Sequence, residues 1–365
     1  LIKSRYCALQ YRTAASRFCI AARPFPNKEV KRASALPQSE PTAAYAVLPP
    51  MQVDQPVDSA WAAAMRRGDL QRAWQICDAH LRRRLMQQEP WWDRPRHLQP
   101  VWNGEPLGGK RVLVRCYHGL GDTIQFIRFV RPLRRIARSV VLWAQPALIP
   151  IARSVAGVDE TIPLHDGSPQ TGYNADVEIM ELPHALRIAS IPRDVPYLFV
   201  PHQSAAPARD RSFSVGLVWA AGDWDEGRSL RLKDVKALAR IPGIRFFSLQ
   251  RGPWASEAPS IPAIQWGADD VIETAARMLA LDLIISVDTM AAHLAGALAR
   301  PVWLLLQRDC DWRWPREGAN TVWYPTMRLF HQSKPGDWTS AIEHLHTALK
   351  HCRPPTLHQT VRAET

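Results

Sequence analysis

LIISVDTMAAHLAGALARPVWLLL, residues 283–306, reads as a strand, a helix and a second strand. LIISV (283–287) and PVWLLL (301–306) are apolar runs of strand length, and TMAAHLAGALA (289–299) between them is small and apolar, as a buried helix is. Two parallel strands joined by a crossover helix are the repeating unit of an α/β sheet. Asp288 and Thr289 fall where the first strand meets the helix, and both residue types cap helices. His293 lies one turn on, amid Ala291, Ala292, Ala295, Gly296 and Ala297. Such small residues let helix and sheet approach closely and leave room for a ligand at the free N–H groups, where a diphosphate can bind. The simpler alternative makes Asp288 and Thr289 plain caps and His293 a hydrogen-bonded core residue. For the histidine taken alone, the simpler one is preferred.

The same alternation runs outward in two blocks. In the first, RVLVRCY (111–117), VVLWA (140–144), ETIPL (160–164) and DVEIM (176–180) are strands, with helices predicted from the loop after residue 117 to about Arg138 and over PALIPIARSV (146–155). After a linker around PHQSAAPARDR (201–211) the pattern restarts. SVGLVWA (214–220) and IRFFSLQ (244–250) are strands, and LRLKDVKALARI (230–241) and DDVIETAARMLALD (269–282) are helices. Two blocks of this kind predict two parallel-sheet domains side by side. In such sheets ligands bind beyond the carboxyl ends of the strands.

The first block opens on HGLGDTIQFIRFV (118–130), a glycine turn that runs into a helix. It has neither the GK[ST] ending of a phosphate loop nor the GxGxxG of a dinucleotide site. Ile124, Ile127, Val130, Leu133 and Ile136 form the expected apolar stripe, with Arg128, Arg131, Arg135 and Arg138 facing elsewhere. Asp122 sits at the helix N-terminus, where the macrodipole favours negative charge. It serves there either as an N-cap or, held ionised at a turn that lets substrate approach, as a general base. His118, Gly119, Gly121, Thr123 and Gln125 are the neighbours that would frame that approach.

Between the two lies GLVWAAGDWDEGRSL (216–230), whose polar loop carries Arg228 and Ser229. An arginine there can clamp phosphate through two N–H groups. DWD (223–225) and DCD (309–311) match a short metal–nucleotide pattern too weakly to carry a metal site. The tryptophan-dense DCDWRWP and VWYPTMRLFHQ are expected to pack the two halves together or to line the acceptor side.

Nothing in the chain is long and apolar enough to span a bilayer. The net charge is +12 and the pI about 9.8, but residues 1–50 carry eight Lys and Arg against two Glu, half of the excess. The remaining charge suits an anionic small molecule or peripheral contact with an anionic membrane rather than nucleic acid, for which no motif is found. Six cysteines without a CxxC pair indicate neither zinc nor a disulfide framework, and suit a cytoplasmic setting. Residues 1–52, proline-broken and without an apolar stripe, are expected to be a disordered or mis-assigned extension, with Met51 a plausible start. Residues 55–95 read as a helical pair around Gly68-Asp69, which cannot bury its own face and should dock on the first sheet domain. EPWWDRPRHLQPVW (89–102) is a proline-rich connector. Residues 96–205 and 212–350 are the two sheet domains, and 351–365 a tail.

Together GEPLGGKRVLVRCYHGLGDTIQFIRFVRPL (104–133), VGLVWAAG…RSL…FFSLQRGP and ARMLALDLIISVDTMAAHLAGALARPVWLLL…DWRWPREG…WYPTMRLFHQ…GDW resemble bacterial glycosyltransferase family 9, the ADP-heptose:lipopolysaccharide heptosyltransferases. The nearer likeness is to the branch fused to tetratricopeptide repeats, and it covers roughly residues 96–350. The resemblance implies the GT-B architecture, two Rossmann-like α/β domains facing a cleft, with no cofactor and no obligatory metal. It implies an inverting sugar transfer from a nucleotide diphosphate donor, ADP-heptose among the candidates, to a glycan, lipid-linked or protein hydroxyl. The base of the family's GD pair falls on Asp122, and its donor-binding D-T-x-x-x-H on Asp288, Thr289 and His293. Met290 stands where many members have glycine, which narrows the expected diphosphate pocket. The alternative is a decayed transferase that acts as an interaction module through its helical pair.

Overall fold

The computed structural model describes residues 57–87, 94–200, 212–222 and 225–352. The expected extension 1–52, the connector residues 89–93, the linker 201–211, Asp223 and the tail from 353 onward lie outside the described residues.

Two helices come first, α1 (Val57–Arg67) and α2 (Leu70–Gln87). Gly68 turns the chain at φ +71, and Asp69 accepts the Arg72 N–H at 3.0 Å to cap α2. The pair docks through Trp74, whose indole N–H donates to the Ile188 carbonyl at 2.8 Å. Asp78 takes His184 at 2.8 Å and Arg187 at 2.7 Å. On another side Trp61 lies 4.7 Å from Trp312, centroid to centroid, and Arg66 donates to the Cys310 carbonyl at 3.2 Å.

The first sheet holds β1 (Arg111–Arg115), β2 (Ser139–Ala144), β3 (Glu160–Pro163) and β4 (Ala175–Glu178), all parallel in the order β3-β2-β1-β4. Its connections carry α3 (Leu120–Phe126), α4 (Val130–Ile136), α5 (Ile149–Ala152) and, after β4, α6 (Leu182–Ala185). The second holds β5 (Phe213–Val218), β6 (Ile244–Ser248), β7 (Ile264–Gln265), β8 (Leu283–Val287), β9 (Val302–Leu306) and β10 (Met327–His331), parallel in the order β10-β9-β8-β5-β6-β7. With it come α7 (Leu232–Leu238), α8 (Val271–Leu279), α9 (Met290–Ala297) and α10 (Thr339–Lys350). The two parallel-sheet α/β domains are those that the strand–helix alternation predicts. The middle residues of β1 and all of β8 are buried, as strands covered on both faces are.

The helix expected to run unbroken to Arg138 is broken. A 3-10 turn at Ile127–Phe129 separates α3 from α4. Pro132 has no N–H to give the Arg128 carbonyl and its ring crowds that carbonyl, so the chain tightens there. The turn rephases the helix. Arg128, expected to face away, is 5% exposed, whereas Ile136, expected on the apolar stripe, is 50% exposed. Pro150 likewise limits the second predicted helix to a 3-10 turn and α5. DVEIM is a strand only to Glu178, where that carboxylate caps a 3-10 turn over Ile179–Glu181. The stretch 327–331, read only as part of a tryptophan-dense motif, is edge strand β10.

One apolar cluster runs from β1 through Ile124 and Phe126 of α3 to Ala291 and Leu294 of α9 and on to Trp314 and Trp323. Helices α3 and α9 therefore join the two sheets. A Cβ on Gly121 would lie 3.0 Å from His293 Cδ2 and 3.4 Å from Met290 Cα. Glycine at 121 thus serves the approach of one helix to the other.

Glu181 anchors the chain entering β1. Its carboxyl group accepts N–H groups from Val101 at 3.1 Å, Trp102 at 2.8 Å and Glu178 at 3.1 Å. Burial pushes its pKa up to about 7, against the pull of those N–H groups. The folded value lies above the unfolded one, so its contribution to stability is complete below about pH 4.5 and is lost as pH rises through 7. Between those limits wild type should lose on the order of 3 kcal/mol through this group. Glu181→Gln should flatten that slope in urea melts at pH 5 and pH 8; equal slopes would show that Glu181 does not titrate there.

Candidate active site

Loop 116–119 leaves the end of β1 and turns into α3 with Gly119 as the N-cap. Asp122 is therefore not the N-cap but the third residue of the first turn. Its Oδ2 reaches back to accept the Gly119 N–H at 2.9 Å, which leaves Oδ1 for another partner. Thr123 Oγ1 donates to Gln145 Oε1 at 3.1 Å, and Gln145 Nε2 donates to the His118 carbonyl at 2.6 Å, so two buried side chains hold the loop. His118 Nδ1 lies 3.1 Å from Glu178 Oε1. Burial alone would lower the pKa of His118, but the hydrogen bond and charge of Glu178 raise it above the ordinary value.

The second half contributes the end of β8 and the start of α9. Neither Asp288 nor Thr289 caps the helix through its side chain. Thr289 Oγ1 pairs with Ser286 Oγ at 3.2 Å, and no side chain bonds the helix from the N-cap position. The first N–H groups of α9 stay uncapped, with Gly121 of α3 beside them. Asp288 is 7% exposed, and burial raises its pKa. His293 is a buried core residue, its Nδ1 3.0 Å from the Tyr324 hydroxyl and its ring stacked 5.6 Å from Trp314. Burial, then the charges of Arg313, Arg128 and Arg228, hold its pKa well below the usual histidine range, so its imidazole is neutral. A Cβ on Gly296, one turn beyond, would meet the Tyr324 ring at 2.5 Å, so this glycine keeps the hydroxyl in reach of His293.

Arg228 lies on a 3-10 turn, Glu226–Arg228, capped by Asp225. Its Nη1 donates to the Asp288 carbonyl at 3.0 Å, which brings the loop to the start of α9. Ser229 turns inward instead, its Oγ accepting the Ala221 N–H at 3.0 Å. Asp225 accepts from Gly227 N at 3.0 Å and Gln307 Nε2 at 2.6 Å. Asp311, of the other DxD, pairs with Arg313 at 2.8 Å.

Arg313, to which sequence reasoning gives no role, stands at the centre. Its Nη2 pairs with Asp122 Oδ1, its Nε donates to Gln125 Oε1 at 2.6 Å, and its plane lies 4.3 Å from the Trp312 ring. Burial works against its charge, but Asp122 and Asp311 outweigh burial and raise its pKa. The available signal was a cation between two tryptophans, Trp312 and Trp314, in a stretch otherwise suited to packing. Sequence reasoning misses Arg128 as well. It donates to the carbonyls of Gln125 at 2.8 Å, Pro192 at 3.2 Å and Trp323 at 2.6 Å, and to the Tyr197 hydroxyl at 2.7 Å. Surface cavities of about 360 and 560 Å³ lie elsewhere, one against β10 and one between α1 and residues 315–317.

This two-sheet architecture is similar to that of E. coli ADP-heptose lps heptosyltransferase II. The TM-score is 0.50 at 12% identity, over 66% of this chain and 97% of that one. The fold is the GT-B fold of the heptosyltransferases. A glycosyl transferase family 9 structure from Veillonella parvula is similar at a TM-score of 0.45 and 10% identity, over 68% of this chain and 91% of that one. In sequence the chain is 24% identical over 304 residues to protein FlbA of Caulobacter vibrioides, 71% of this chain and 50% of that protein. The chain thus spans about half the length of the curated relative it matches. No protein-family model matches it. In the heptosyltransferase fold seen here, Asp122, Arg313, Arg228 and the start of α9 occupy the junction of the two domains. No helix among the described residues is long and apolar enough to cross a membrane.

Proposed function

We propose that the chain is a glycosyltransferase that moves a heptose-like sugar from a nucleotide diphosphate donor to a hydroxyl acceptor, with inversion at the anomeric carbon. The acceptor O–H gives its proton to Asp122, and the acceptor oxygen bonds to the anomeric carbon. The bond from that carbon to the diphosphate oxygen breaks, and its electron pair leaves with the nucleoside diphosphate. The observation that carries this reading is a carboxylate, Asp122, standing where the first turns of α3 and α9 meet, beside the guanidinium of Arg313 and close to the loop of Arg228. A base and an anion-stabilising group are the two parts that such a transfer needs. The N–H groups of α9 and the guanidiniums supply the positive charge, so this reading needs no divalent cation. Residues 96–205 then form the acceptor side and 212–350 the donor side. The four described cysteines, Cys77, Cys116, Cys310 and Cys352, are free and fit a cytoplasmic setting.

Titration with ADP and with ADP-heptose, read by calorimetry, tests the donor half of the proposal. Arg228→Ala should weaken ADP about ten- to a hundredfold, the loss of one charge-assisted hydrogen bond, while urea unfolding shows the fold intact. Unchanged affinity would reduce Arg228 to a loop residue that holds the Asp288 carbonyl.

A further inference from the structure

Asp122 and Arg313 are 191 residues apart in sequence and paired in the structure. A guanidinium keeps its proton across the working pH range, and here it takes Asp122 Oδ1 while the Gly119 N–H takes Oδ2, so both oxygens of the carboxylate are engaged. In the pair, the proposed base is restrained by a cation from the other domain. That cation is not committed to Asp122 alone. Its planar fork also serves Asp311 at 2.8 Å and Gln125 at 2.6 Å, and its side chain is 9% exposed.

Donors without acceptors lie on Gln125, which Arg313 contacts, and on Arg228, which holds the Asp288 carbonyl. Gln125 Nε2 and Arg228 Nε are buried with no hydrogen-bond partner, and α9 opens with no side-chain cap. Buried donors are ordinarily satisfied, and a site with donors to spare suits a ligand rich in acceptor oxygens. The backbone beneath Arg313 is braced by the helical pair, through Trp61 against Trp312 and Arg66 on the Cys310 carbonyl. The guanidinium can therefore change partners while its segment stays in place.

We propose that Arg313 is shared between Asp122 and the donor diphosphate, so that donor binding draws the guanidinium away and frees Asp122 to act as base. The inference rests on the transferase reading above. In the empty site Arg313 occupies Asp122 Oδ1, the carboxylate oxygen that the Gly119 N–H leaves open. A diphosphate then competes for the same fork, and the acceptor hydroxyl meets a competent base only when the donor is in place. Arg313 is thus a ligand of the donor and a positioning residue for Asp122.

If Asp122 and the diphosphate compete for one cation, removing the charge of Asp122 should strengthen nucleotide binding, and only through Arg313. The test is a double-mutant cycle on the full chain, with ADP affinity measured by calorimetry for wild type, Asp122→Asn, Arg313→Gln and the double variant. Arg313→Gln should bind ADP about tenfold or more weakly. Asp122→Asn should bind it severalfold more tightly, and that gain should vanish in the Arg313→Gln background. Equal affinity of wild type and Arg313→Gln would overturn the inference, as would the same gain in both backgrounds, which is plain charge repulsion. Should Arg313→Gln fail to fold, Asp122→Asn still decides, because weaker ADP binding in that variant overturns the sharing. Wild-type protein that binds no ADP takes down the transferase reading and this inference with it.

Discussion

Asp122→Asn is expected to lower turnover by roughly 10²–10⁴, the usual worth of a positioned general base, or about 2.7–5.4 kcal/mol of barrier. Asparagine keeps the shape and can still accept the Gly119 N–H, but it takes up no proton. The substitution also removes one partner of Arg313, which retains Asp311 and Gln125. A stability loss of about 1–3 kcal/mol is therefore expected, below the cost of stranding a buried charge altogether. Turnover measured well below the unfolding midpoint separates the two effects. If Asp122→Asn kept more than about a tenth of wild-type turnover, above the range for a base, the carboxylate would be a structural partner of Arg313 and nothing more.

Arg128→Ala is expected to cost roughly 3–5 kcal/mol of stability. The side chain is buried, and it ties together the carbonyls of Gln125, Pro192 and Trp323 with the Tyr197 hydroxyl. Its guanidinium also sits 4.5 Å from the Tyr197 ring and 4.6 Å from the Tyr324 ring. Truncation removes those contacts, leaves a cavity and strands acceptors, each worth about 1–3 kcal/mol when unsatisfied. Urea unfolding at pH 7 reads the loss directly. A change under about 1 kcal/mol would mean that water enters and replaces the guanidinium, as it does at polar buried sites. Trp323 lies 195 residues from Arg128, so the variant should loosen the two domains from each other before it unsettles either sheet.

The sheet order beyond simple alternation was not legible in the chain, and β10 shows why. Arg328 is exposed and His331 half-buried, so this edge strand lacks the unbroken apolar run of β9. The helix after β1 was legible as a helix but not in its phase, because the effect of Pro132 on the turn before it decides which side chains point inward. Helix entry was legible to within three residues at α3, where the N-cap is Gly119 and the acid is Asp122.

By itself the sequence determined the two parallel sheets and the glycine turn that opens α3. Strands buried on both faces must be apolar, and the turn before α3 is built from Gly119 with Asp122 reaching back to its N–H. Those are constraints between near neighbours, and they are written in order along the chain. Only the tertiary structure decided that Gly121 makes room for α9, that Arg128 is inside, and that Arg313 holds Asp122. A charged side chain is placed outward on sequence grounds because burying it uncompensated is costly. Much of the compensation here comes from carbonyls and a carboxylate 64 to 195 residues away, and no local pattern records partners that only the meeting of the two domains brings together.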